Sequence, residues 1–102
     1  MTPLYHRLIE KRKHDYTRQW ILVLEKLLSS SDCREMIHRL SNAIIIHANC
    51  EDVDYMLSYN FKPNQFTNTL SSLLHHGILS LPCLELCILH VAYGKPFPLK
   101  HN

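Results

Sequence analysis

Apolar residues recur at helical spacing along nearly the whole chain, and this limits the fold more than any other feature. Trp20, Val23, Leu24, Leu27 and Leu28 stand at i, i+3, i+4, i+7 and i+8, which is one face of a helix. Met36, Ile37, Leu40, Ala43, Ile44 and His47 make a second stripe, and Ile44-Ile45-Ile46 widens it toward burial on more than one side. Val53, Met56 and Leu57 make a third; Leu70, Leu73 and Leu74 a fourth; Leu84, Cys87, Ile88 and Val91 a fifth. Period-two alternation is scarce, and the 102 residues include only two glycines. An all-α chain is therefore expected rather than a sheet protein.

Stop and start signals separate the stripes. Thr2-Pro3 suits a helix start, with Thr2 as cap and Pro3 in the first turn. The charged run Glu10 to Asp15 reads as a solvated face or a break between two helices. Ser29-Ser30-Ser31 ends the Trp20 helix, and Asp32-x-x-Glu35 has the form of a capping box for the next. Asn49 is expected to cap the helix of Glu51, Asp52 and Val53, and Asn60 to let the chain leave it. Pro63-Asn64 reads as a turn, with Thr67 or Asn68 capping a helix that Gly77 terminates. Pro82 and Gly94 bracket a last helix, and Pro96 prevents its continuation. One helical domain is expected over residues 1–96, with an irregular tail over 97–102.

Composition excludes several classes. A formal charge of +2 is too weak to argue for nucleic acid, because the acidic Glu51-Asp52-Asp54 offsets the short basic run Lys11-Arg12-Lys13. No stretch approaches the roughly 20 apolar residues a spanning helix needs. Charged residues come too early for a secretory signal, and Cys33, Cys50, Cys83 and Cys87 lie in helical patterns. Reduced thiols in an intracellular, cytoplasmic protein are the expectation. Cys83, Cys87 and His90 stand at i, i+4 and i+7, so one helix face carries three metal-ligating atoms. Zinc, however, takes four tetrahedral ligands and favours a tight Cys-x2-4-Cys turn, which a rigid helix supplies poorly. Buried apolar cysteines and no metal or other cofactor are expected. His47 lies three residues before Cys50 near a helix start, yet no Gly-rich loop, nucleophile triad or paired carboxylates accompany them. No catalytic residue is assigned, and a non-enzyme is expected.

The stretch Asn49 to Asn64 resembles the second helix and following turn of an ankyrin repeat. Asn49 stands for the family's Gly, Asp52-Val53 matches its acidic-Val pair, and Met56-Leu57 stands for Leu-Leu. Asn60 stands for the second Gly, and Pro63-Asn64 matches the closing pair. Thr2-Pro3-Leu4-Tyr5 is similar to the family's Thr-Pro-Leu-His, and Thr69-Leu70 through Gly77 keeps the spacing of its first helix. Paired apolar residues end at Leu28, Leu57 and Leu89, at intervals of 57 − 28 = 29 and 89 − 57 = 32, against an ankyrin unit of about 33. The chain departs from the pattern in an insertion near Lys11 to Arg18, a second unit without Thr-Pro-Leu, and a short Asn64 to Thr69 finger.

The resemblance implies about three units of stacked antiparallel helix pairs; the alternative is a compact five- or six-helix bundle. It also implies a protein–protein interaction module such as an adaptor, an inhibitor or a binder of host factors. In that family, loop tips and inner helices hold the partner. Carried onto this chain, these are Lys62, Asn64, Gln65 and Phe66 at a turn, and Ser71, His75 and His76 on an inner helix. Another protein is the expected partner, within a host cell if the chain binds host factors. The alternative is a small homodimeric helical regulator that contacts nucleic acid through Lys11 to Lys13.

Overall fold

A computed structural model describes residues 3–57 and 61–96, and the described residues form five helices and no strands. Helix α1 spans Pro3–Leu27, α2 Cys33–Ala48, α3 Glu51–Leu57, α4 Pro63–His75 and α5 Leu81–Tyr93. Thr2, Asn60 and the tail 97–102 lie outside the described residues. Among the described residues no helix is long and apolar enough to cross a membrane.

The charged run does not break α1. Glu10 to Asp15 contains no Gly or Pro, and Lys, Arg and Glu are strong helix formers. Glu10 and Lys13 meet at 4.0 Å one turn apart, and the Thr17 hydroxyl donates to the Lys13 carbonyl at 2.9 Å. The first expected helix pair is therefore one helix of 25 residues, about 37 Å long. The serines after it act on its orphan carbonyls: Ser29 Oγ donates to Lys26 O at 2.7 Å and Ser30 Oγ to Leu27 O at 3.1 Å.

Four expected signals work differently. Asp32 makes no side-chain cap to α2; its carboxylate accepts the Ser30 hydroxyl instead. Asn49 does not start α3 but closes α2, at φ 50° and ψ 50°, with its N–H on the Ile45 carbonyl. That left-handed backbone suits a helix end and is incompatible with the extended geometry of an N-cap. Pro63-Asn64 is not a turn between helices but the first turn of α4. Lys62 is extended at φ −72° and ψ 158°, Pro63 follows in the first helical position, and the Gln65 side chain accepts the Lys62 N–H at 3.2 Å. Proline blocks a helix arriving from its N-terminal side and is pre-set for one that starts there. Thr67, expected as a cap, sits inside α4, where its hydroxyl donates back to Pro63 O and Asn64 O.

The glycine stops behave as expected. Gly77 (φ 70°) follows α4, and the Ile78 N–H returns to Leu73 O at 3.0 Å while the Gly77 N–H reaches Leu74 O at 3.2 Å. This paired closure needs a left-handed residue. Gly94 (φ 69°) ends α5. Ser80 caps α5 by accepting the Cys83 N–H, and Pro82 lies in the first turn.

The broadest seam joins α2 and α5; α1 lies on α4 and α5, while α3 is held by α2 and α4. Because α1 meets α4 and α5 directly, the helices close around one core, an arrangement the five-helix alternative also fits. Leu24, Leu40, Ile44, Leu70, Leu84 and Ile88 are buried there, each on its expected stripe. Ile46 departs from expectation and faces outward. The three leucines that close the apolar pairs occupy different places. Leu28 lies just past α1, Leu57 ends α3, and Leu89 sits half-buried inside α5, accepting the Lys95 N–H.

Candidate functional site

The seven expected partner-binding residues fall in three settings. Phe66 is completely buried, so it is a core residue and not a loop-tip anchor. The reason is register: α4 starts at Pro63, which places Phe66 one turn before Leu70 and two before Leu73 on the same inward face. Asn64 and Gln65 are exposed but serve the first turn of α4, with Asn64 Oδ1 accepting the Gln65 N–H at 2.9 Å. Lys62 borders a depression lined by one side of α2, from Cys33 to Ile45, and by Asp54, Leu57 and Phe61.

Ser71 and His75 lie elsewhere, in a groove between α1 and the corner joining α4 to α5. Ile21, Leu74, Leu79 and Leu81 form an apolar floor. Glu10, Lys13, His14, Arg18 and His75 form a charged and imidazole-bearing rim. His76 is beside this rim; its ring meets the His75 ring edge-on at 5.2 Å. Its Nδ1 lies 2.8 Å from Ser72 O, and since a carbonyl only accepts, Nδ1 is the donor. The structure thus joins Ser71, His75 and His76 and separates them from Lys62, Asn64, Gln65 and Phe66.

One wall of the groove was missed from sequence. Glu10, Lys13 and His14 belong to the charged run, which reads as a solvated face or a break between two helices, and Thr17 follows just after it. Their signal was spacing: Lys13, Thr17 and Ile21 continue, turn by turn, the side of α1 that carries Trp20 and Leu24. Across this seam the Tyr16 hydroxyl donates to the Glu85 carboxylate at 2.8 Å and sets α1 against α5.

The cysteines divide by burial. Cys83 and Cys87 are buried in α5; Cys33 and Cys50 are half-buried. A hydrogen bond to Cys83, burial and the proximity of the Cys83 charge all push the Cys87 thiol up, so it stays protonated at neutral pH. A raised thiol is a poor nucleophile and a poor metal ligand. The His90 Nδ1 is turned toward Lys95 O at 2.8 Å. Native alkylation with a maleimide is expected to add two adducts per chain, at Cys33 and Cys50, and four in denaturant. Intact-mass spectrometry and peptide mapping read this directly; rapid native labelling of Cys87 would contradict the packing of α5.

No family model, curated protein or solved structure matches this chain.

Proposed function

We propose that this chain is a non-enzymatic protein–protein interaction module, acting inside the cell, that seats a segment of a partner protein in the groove between α1 and the α4–α5 corner. The supporting observation is the groove's construction: an apolar floor of Ile21, Leu74, Leu79 and Leu81 under a rim bearing Lys13, Arg18, His14 and His75. An apolar floor takes the apolar face of a peptide or helix, and a polar rim sets its register. The ankyrin resemblance, which led to Ser71, His75 and His76 from sequence alone, favours the same class of function.

A photo-crosslinking residue placed at His75 tests this in cells that make the chain, with Arg39, exposed on α2 and outside the groove, as the control position. A discrete adduct is expected at His75 and not at Arg39, and Lys13→Glu with Arg18→Glu should remove it. Equal adducts at both positions, or an adduct indifferent to the rim substitutions, would exclude the groove as the docking site.

A further inference from the structure

Charge is segregated along this chain in a way its near-neutral total hides. Helix α1 carries six Lys or Arg against three Asp or Glu, a net +3, while α3 carries three acids and no base, a net −3. No Asp, Glu, Lys or Arg occurs in α4. Both charged helices expose apolar surface beside their charges. On α1, Leu4, Leu8, Lys11, Asp15 and Leu22 are all exposed and form one stripe. Leu4 and Leu22 are 22 − 4 = 18 residues apart, about five full turns, and so share an azimuth. This stripe lies on the side of α1 opposite the buried Leu24. Leu4 is 68% exposed, and Arg7 and Lys11 flank it and Leu8. On α3, Tyr55 is also 68% exposed, and Glu51 and Asp52 precede it by one turn.

We infer that the outward face of α1 docks on α3 of a second copy of this chain, in a two-fold dimer that makes each basic-to-acidic contact twice. A two-fold operator applies the same pair of patches in both directions, so one complementary pair on the monomer is enough. Complementary potentials fix register and suppress other pairings. The self-pairing covers Leu4 and Leu8 as well as Tyr55. An anionic bilayer would attract α1 but repel α3, whereas a second copy satisfies both. The surface is independent of the groove, because Arg7, Leu8 and Lys11 do not line it.

A charge swap tests the dimer. One variant reverses α1 (Arg7→Glu, Lys11→Glu) and the other reverses α3 (Glu51→Lys, Asp52→Lys). Sedimentation equilibrium of the wild-type chain should show twice the chain mass at about 50 mM salt and the single-chain mass at about 500 mM, because exposed charges are screened. Each variant alone should dimerise at least about tenfold more weakly, since like charges are brought together. An equimolar mixture should regain the dimer, because the reversed α1 then faces the reversed α3 and the unaltered pair remains. A wild type that is monomeric at low salt, a dimer indifferent to salt, or a mixture that stays monomeric overturns the proposal. So does binding of a monomer to phosphatidylserine vesicles as the sole association. Circular dichroism checks both variants; if the α3 variant does not fold, the wild-type salt series and the α1 variant decide alone.

Discussion

Phe66→Ala is expected to lower the folding stability by about 3–5 kcal/mol, the range for removing a fully buried aromatic ring. Phe66 is 0% exposed, and on α4 it shares the inward face with Leu70 and Leu73. Its ring sits near the start of α4, a helix on which α1, α2 and α3 all pack. Removing the ring leaves a void that neighbouring helices, fixed by their own caps, close only in part. Domains of this size have total stabilities of only about 5–15 kcal/mol, so much of the margin should disappear. In a urea titration the midpoint should fall with little change in slope, since the surface exposed on unfolding is nearly the same. A loss under about 1 kcal/mol, the level of ordinary surface substitutions, would place Phe66 at a loop tip after all and restore it as a partner contact.

A pair of substitutions in α5 gives the second large effect. Ile88→Asp is expected to prevent folding, whereas Leu86→Asp should shift stability by no more than about 1 kcal/mol. Ile88 is 0% exposed on α5, the helix that shares the broadest seam with α2, while Leu86, two residues earlier, is 38% exposed. A carboxylate at Ile88 would lose its water and find an apolar surround; it would either ionise at great cost or take up a proton. At Leu86 the same carboxylate stays hydrated. Far-ultraviolet circular dichroism and an amide NMR spectrum separate the outcomes: collapse of both signals for Ile88→Asp, and near-identity with the parent chain for Leu86→Asp. The reverse pattern would mean that α5 is rotated by about half a turn from the observed packing.

Much of the helical content was legible before any coordinates, and so was the inward face of most helices. Leu40 and Ile44 on α2, Val53 and Leu57 on α3, and Leu84, Cys87 and Ile88 on α5 are buried as their spacing requires. Gly77 and Gly94 mark the ends of α4 and α5 because a left-handed residue there carries no Cβ penalty. Start signals were less legible, because one residue type serves opposite ends of a helix. Asn accepts backbone N–H groups at a start and tolerates left-handed backbone at an end, and Asn49 takes the second role. Proline bars an incoming helix and begins an outgoing one, and Pro63 begins α4. From that one reversal came the misplacement of Phe66: a turn at Pro63 would have left its ring outside, and a helix from Pro63 carries it inside.

By itself the sequence determined the helical class, the inward stripe of most helices and two of the stops, because spacing and backbone conformation are local properties. It also held the opposite charges of α1 and α3. Only the tertiary structure decided that α1 runs unbroken, that α1 lies against α4 and α5, and that Ser71 and His75 share a groove with Lys13 and Arg18. Those outcomes depend on which apolar faces meet across long separations in sequence. Periodicity shows that a face must be covered, but the choice of what covers it is made by packing among all five helices at once.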